Sequence, residues 1–371
     1  MENGIYFNLS DEEYHQIERL SASGIKDLLI SLPTFWARSW MNPQKTNDDT
    51  PAKILGRAYH AAIFEPETVD QRFVRELNYD DFPDMLTTDS AVKDCLANLG
   101  EVKTRQGELA LDRALRLQSL GFEKPIKSLV DADFQENLNG RDILGGQYWD
   151  QMMIDINRII QNPEIEKLVI GGASEVTILW TCEHTGINMK SRIDKLKSDC
   201  FVDLKSFANK SGKPVNQVIV EQVNYYKYYL SMRSYQVAIS KIKTDKLPVV
   251  GDASPEEFEL VEKLREKATP HQPWLVFQEK GGVPNIMARK LKLHSLPDGV
   301  EEQSAGSSVE NFKQGETALC VKADIEMRHA MKMYLQAMDV FGENSEWYPF
   351  DMVGEISDDD FSDYFLNGVP T

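Results

Sequence analysis

Alternation of apolar and polar residues, the mark of strands whose side chains point in turn to opposite faces, is densest in the middle of the chain. The stretch MKSRIDKLKSDCFVDLKSF, residues 189–207, reads as a β-hairpin. With Ser198-Asp199 as a two-residue loop, Lys197 pairs with Cys200 and Asp194 falls opposite Asp203. Asp203 and Lys205 then share one face, with Val202, Leu204 and Ser206 on the other, and Arg192 and Asp194 lie on the matching face of the partner strand. Upstream, EVTILWTCEHTGINMK reads as one more strand, a turn at His184-Thr185 and the return strand, a register that sets Glu175 opposite Asp194. Gly186 could equally sit in a bulge, which would shift this second register by a residue or two.

A helical period governs most of the remainder. In LSASGIKDLLISLPTFWARSW, Ser21 or Ser23 can cap a helix that ends before Pro33, with Trp36 and Trp40 one turn apart as core residues. PAKILGRAYHAAIFEP predicts a helix over 52–64 halted by Pro66; Gly56, His60 and Phe64 share a face, and Gly56 lets a neighbouring backbone come close. Residues 67–170 read as mostly helical, with an acidic loop at NYDDFPDMLTTDS, two short helices around a glycine in AVKDCLANLGEVKTRQGELALDRALRLQSLG, and a final helix in YWDQMMIDINRIIQNPEIEKLV. After the strands, Pro214 opens a long helix through KPVNQVIVEQVNYYKYYLSMRSYQVAI, on which Gln222 and Tyr226 face the same way. The tyrosines at 225, 226, 228 and 229 cannot all be buried on one stripe. PWLVFQEK and NIMARKLKL predict two more strands around GGVP, SLPDGVEEQSAGSSVENFKQGE a polar loop, and 318–341 a helix before the acidic tail EISDDDFSDYF.

Composition narrows the function classes. The chain has 371 residues, 42% of them hydrophobic and 27% charged, which is ordinary for a folded globular protein with ample core. No apolar run approaches the ~20 residues that span a bilayer, and the acidic N-terminus lacks a signal-peptide pattern, so a cytoplasmic location is expected. Cys95, Cys182, Cys200 and Cys320 are scattered without a CxxC pair, which argues against a zinc site, a disulfide framework and an iron–sulfur cluster. A net charge of −18 argues against broad nonspecific nucleic-acid binding, yet is compatible with a narrow basic lining inside an acidic body.

Side chains directly opposite on paired strands have Cβ atoms roughly 4.5–5.5 Å apart, and like charges there destabilise the pair. Asp194 opposite Asp203 therefore calls for a cation. Mg²⁺ or Mn²⁺ is the natural candidate, since carboxylate and carbonyl oxygens suit a hard ion and no Cys or His cluster competes. By itself a DxK strand on a solvated sheet face would be only an exposed ion pair, and a lone His60 on a helix a structural or surface residue.

Taken in order, His60, Glu175, Asp194, DLK at 203–205 and QVNYY at 222–226 resemble the PD-(D/E)xK nuclease superfamily. The likeness is strongest to its phage and prophage RecE-type (exonuclease VIII) branch, relatives of lambda exonuclease and the RecB nuclease domain. LSASGIKDLL, LGRAYHAAIFEP and PWLVFQEKGGVP are similar to further signatures of that branch, and the resemblance is weakest over 79–145. It implies an α/β (α+β) fold, a restriction-endonuclease-like core with a central mixed sheet flanked by helices and carrying a helical insertion. The implied layout is one nuclease domain over 1–371: N-terminal helices with the His60 helix at 1–66, the insertion at 67–170, core sheet and QxxxY helix at 171–300, and loop, C-terminal helix and acidic tail at 301–371. Carried over, His60, Asp194 and Asp203 would ligate metal together with the Leu204 backbone carbonyl, and Glu175 would complete the acidic set. Lys205 would orient or activate the attacking water and stabilise charge on the phosphate. Gln222 and Tyr226 would position DNA phosphate or hold Lys205, with Arg192 as a further phosphate contact. Ile193-Asp194 stands where the superfamily has Pro-Asp, and Ser206 where it usually has Thr; neither change removes a ligand. The implied activity is Mg²⁺-dependent exonucleolysis of double-stranded DNA ends, 5′ to 3′, with Mn²⁺ able to substitute. A ring-shaped homo-oligomer, a RecT-type single-strand-annealing partner and no membrane association complete the expectation. A structure-selective or single-strand endonuclease, or a non-catalytic binding module on the same fold, is the alternative.

Overall fold

Over the described residues, 1–46, 50–266, 271–280, 285–293 and 317–350, the computed structural model begins with β1 (Gly4–Tyr6), α1 (Asp11–Gln16), α2 (Ala22–Ile30), α3 (Leu32–Arg38) and α4 (Pro51–Phe64). It continues with α5 (Val69–Arg72), β2 (Phe73–Arg75), α6 (Asp89–Asn98), α7 (Ala110–Ser119), α8 (Lys127–Glu136), β3 (Asp142–Leu144), α9 (Gly146–Gln161) and α10 (Pro163–Val169). Then come β4 (Ala173–Thr181), β5 (Asn188–Leu196), β6 (Cys200–Phe207), α11 (Val215–Tyr225), α12 (Tyr228–Thr244), α13 (Pro255–Glu266), β7 (Gln272–Glu279), β8 (Ile286–Lys290) and α14 (Ala318–Phe341). The expected GGVP turn, polar loop and acidic tail lie outside the described residues. The chain divides into two compact units, one of Met1–Asn47, Ile170–Lys280 and Met287–Thr371, the other of Asp48–Val169 and Gly281–Ile286.

The first unit is built on a six-stranded sheet in the order β1-β4-β5-β6-β7-β8. β4 runs antiparallel to β1 and β5, β5 antiparallel to β6, and β6 parallel to β7, so the sheet is mixed. Parallel neighbours need a crossover, and α11, α12 and α13 supply it. The core joins Val176, Ile178 and Trp180 of β4 to Leu28 of α2, Leu230 of α12 and Met327 of α14, with Trp36 and Trp40 packed at its margin. Ser21 caps α2, accepting from Gly24 N at 3.2 Å, and Ser31 ends it while capping α3 through Thr34 N. The single long helix expected after Pro214 is two helices. Lys227 takes φ +48°, a left-handed turn that breaks the hydrogen-bond ladder between α11 and α12, and its ammonium meets Glu326 of α14 at 2.9 Å.

The second unit is mainly helical, as expected for the insertion, and also contains α4, which the sequence had grouped with the N-terminal helices. Its predicted final helix is broken into α9 and α10, because Pro163 cannot continue the ladder. Val92, Leu96, Ala114, Leu117 and Ile126 form a small core beneath α6 and α7. β2 and β3 pair in parallel, a ladder of three residues each and too short to show alternation in sequence. On α4, Tyr59 donates to the buried Asp155 of α9 at 2.7 Å. Gly56 does not admit a neighbouring backbone: a Cβ there would meet nothing within 4 Å. Among the described residues no helix is long and apolar enough to cross a membrane.

Candidate active site

β4, β5 and β6 of the first unit carry the acidic residues. Lys195 pairs with Val202 and Leu196 with Phe201, and Lys197 N donates to Cys200 O at 2.9 Å, which is the register expected from the Ser198-Asp199 loop. The paired ladder ends there, one step short of the two aspartates. Instead of a backbone pair, Leu204 N donates to Asp194 Oδ2 at 2.9 Å. Beyond this point β5 exchanges its hydrogen bonds with Leu20, through Leu20 N to Asn188 O and Lys190 N to Leu20 O, both at 2.9 Å. Asp194 is thus the wedge at which β5 and β6 part.

On the other side, Ala173 pairs with Leu196 and Val176 with Ile193, so Glu175 falls opposite Asp194 as expected. The turn is wider than the two-residue loop read from the sequence: Cys182 N donates to Ile187 O at 2.9 Å, leaving residues 183–186 in the loop. One extra residue from each strand widens a loop without shifting register, which is why the pairing survived. Glu175 itself has φ +51° and drops out of the ladder, and a carboxylate oxygen of Glu175 lies within 4.8 Å of one of Asp194.

The charges are arranged around these acids. Asp203 is 1% exposed and forms an ion pair with Lys205, whose ammonium also donates to the Leu204 carbonyl at 3.3 Å. The repulsion expected between Asp194 and Asp203 is therefore already relieved within the protein, by Lys205 and by the Leu204 amide. Burial works against the Lys205 charge, but Asp203 and then Asp194 outweigh it and raise its pKa, so Lys205 is held protonated. Burial, reinforced by the same two carboxylates, pushes the nearby Tyr235 phenol well above its ordinary range. Arg192 is engaged by the acids: it lies 2.6 Å from Glu175, 2.9 Å from Asp11, donates to Leu9 O, and packs on the Tyr14 ring.

Gln222 and Tyr226 sit one turn apart at the end of α11, with Tyr226 N donating to Gln222 O at 3.0 Å. The tyrosine run divides as its length demanded: Tyr225 is 79% and Tyr226 47% exposed, whereas Tyr229 is buried and donates to Glu326. It is Tyr228, not Tyr226, that faces Lys205, with Nζ 5.3 Å from the ring centroid; Tyr226 stacks on the far partner, 5.6 Å from Tyr228 and 16° from parallel. A second ammonium, that of Lys26 on α2, lies 5.7 Å from the same Tyr228 centroid. Burial, and next the charge of Lys205, push the Lys26 pKa down to about 8. Sequence reasoning missed Lys26 and Tyr228, since one lysine in an amphipathic helix and one tyrosine among four carry no signal of their own. His60 belongs to the second unit, where its ring meets Phe64 edge-on at 5.9 Å, and its assignment as a ligand rests on the sequence resemblance.

Comparison with known proteins bears on residues 133–250, which match the family described as a PDDEXK-like domain of unknown function (DUF3799). Among solved structures, that of a "Putative exonuclease" from Eubacterium rectale is 14% identical, with 97% of this chain and 98% of that chain covered and a TM-score of 0.48. No curated protein matches the chain. Glu175, Asp194, Asp203, Lys205, Gln222 and Tyr226 all fall inside the matched segment. The match supports the PD-(D/E)xK superfamily for this chain, without distinguishing the RecE-type branch within it.

Proposed function

We propose that the chain is a metal-dependent deoxyribonuclease that hydrolyses phosphodiester bonds where β5 and β6 part. The observation that carries this reading is the gathering of Glu175, Asp194, Asp203 and Lys205 around that opening, within the segment that matches a PDDEXK-like domain. The donor set fits a hard divalent ion, because these are carboxylate oxygens and two of them, from Glu175 and Asp194, lie within 4.8 Å of each other. Asp194, Asp203 and Glu175 would hold Mg²⁺ or Mn²⁺, which supplies a Lewis acid and a more acidic bound water.

The protein's own groups do the rest. Arg192 fixes the Glu175 carboxylate, and the Leu204 amide fixes that of Asp194. Lys205 presents an ammonium beside the acids, and such a charge is worth most where negative charge builds on phosphoryl oxygens in the transition state. Asp203 and Asp194 favour its charged form, which suits orienting the water and stabilising the phosphate.

In its finer form the proposal is an Mg²⁺-dependent, cytoplasmic, 5′-to-3′ exonuclease of duplex ends, a homo-oligomeric ring acting with a RecT-type annealing protein in recombination. That form rests on the family resemblance. It is tested with end-labelled linear duplex and covalently closed circles in Mg²⁺, using the protein and its Lys205→Ala and Lys205→Arg variants. The expected result is loss of linear DNA with circles intact, and a single-turnover rate lowered about 10²-fold or more in Lys205→Ala, poorly restored by Arg, while binding in Ca²⁺ changes far less. Cut circles would turn the reading to an endonuclease, and absence of Mg²⁺-dependent cleavage of any DNA would end it.

A further inference from the structure

We infer that Lys26 is a phosphate-holding residue of this site, a second ammonium that engages the nucleic-acid backbone beside Lys205. The inference rests on the nuclease reading above and adds a residue and a substrate contact to it. α2 is a rigid mount: Ala22, Ile25 and Leu28 are buried in the core, so the helix fixes where Lys26 points. Its neighbour Asp27 is engaged by Arg38 at 2.7 Å, and among the described residues no carboxylate forms an ion pair with Lys26. Its ammonium instead faces Tyr228, the ring that Lys205 also faces.

Both ammoniums face one tyrosine, and Asp203 forms its ion pair with Lys205, so in this partly buried place Lys26 meets a ring rather than a carboxylate. Withdrawing a charge from water without a partner is unfavourable, and the depressed pKa of Lys26 expresses that cost. An arriving anion removes it. The anion is identified by what stands next to the two cations: Tyr226 stacks on Tyr228 with Tyr225 edge-on against it, and both are exposed, so aromatic surface is at hand for a base while the lysines meet the phosphate. A nucleotide unit of a polynucleotide supplies both groups; a free carboxylate supplies the charge but not the base. Lys26 touches the substrate in this assignment but moves no proton.

The test measures equilibrium binding of a short phosphorothioate duplex in Ca²⁺ over a series of salt concentrations, so that no turnover is needed. Losing one phosphate contact lowers the slope of log Kd against log salt by about 0.9. Lys26→Gln is expected to show that drop with about tenfold weaker binding at low salt, and Lys26→Arg to keep the slope of the unaltered protein. In a second measurement on the unaltered protein, acetylation of Lys26 by acetic anhydride, read by mass spectrometry, is expected to slow when the duplex is bound. An unchanged slope in Lys26→Gln, unprotected Lys26, or failure of the unaltered protein to bind the duplex overturns the inference. Protein that binds as expected but never cleaves in Mg²⁺ would overturn the nuclease reading and leave Lys26 in place; cleavage with an unchanged slope would do the reverse.

Discussion

Lys205 and Lys26 share one tyrosine ring and are tuned in opposite directions, Lys205 upward by Asp203 and Asp194, Lys26 downward to about 8 by burial and then by Lys205. A lysine whose pKa falls on folding binds fewer protons in the folded than in the unfolded chain between about pH 8 and 10.5, so stability rises with pH across that window. Below pH 8 the whole penalty is present, on the order of 2 kcal/mol once partial exposure is allowed for. Lys26→Met is therefore expected to melt at a higher temperature than the unaltered protein at pH 7, with the advantage shrinking toward pH 10.5. Equal melting curves at pH 7 would show that Lys26 bears no such cost.

At the scale of elements, two glycines that look alike in sequence behave differently. Gly172, just before β4, has φ +75°, and a Cβ there would stand 2.4 Å from the Leu196 carbonyl at the end of β5. Gly56, inside α4, has open space where its Cβ would be. Gly172→Ala is expected to destabilise by roughly 2 kcal/mol or more, through left-handed strain and the clash, and with it the β4–β5 register that sets Glu175 against Asp194. Gly56→Ala is expected to stabilise by about 0.5–1 kcal/mol, the ordinary difference in helix propensity. Urea denaturation of the two variants checks both, and equal midpoints would contradict the contrast. The break at Lys227 belongs to this scale too: no Gly or Pro marks it, and the contact with Glu326, far along the chain, accompanies it.

For the molecule as a whole, a net charge of −18 means that any divalent cation will collect weakly at its surface, and a specific site must be separated from that background. An ion that binds only the folded state stabilises it by mass action, about 2.7 kcal/mol at a hundredfold excess over Kd. Titration with Mn²⁺ is expected to raise the melting temperature saturably, with EDTA reversing the rise and Asp194→Asn removing most of it. A surface control such as Glu164→Gln, on the exposed side of α10, should keep it. Equal shifts in all three proteins would mean screening rather than a site.

The sequence alone determined what depends on periods of two and of 3.6 residues: the β4, β5 and β6 runs, the β5–β6 register that sets Asp194 toward Asp203, a serine cap at Ser21 or Ser23 of which the structure uses Ser21, and α14 from Ala318 to Phe341. These follow from neighbours a few residues apart, whose geometry one turn or one cap settles. Tertiary structure alone decided that the hairpin opens at Asp194, that Leu204 N and Lys205 answer the two aspartates, that Arg192 meets Glu175 and Asp11, and that Tyr228 rather than Tyr226 lies against Lys205. It alone brought Lys26 to the site, across two hundred residues of chain. Alternation tells which face a side chain leaves from, but not which distant partner waits there, because a charge in a half-buried site is paired by whatever the packed core brings within reach.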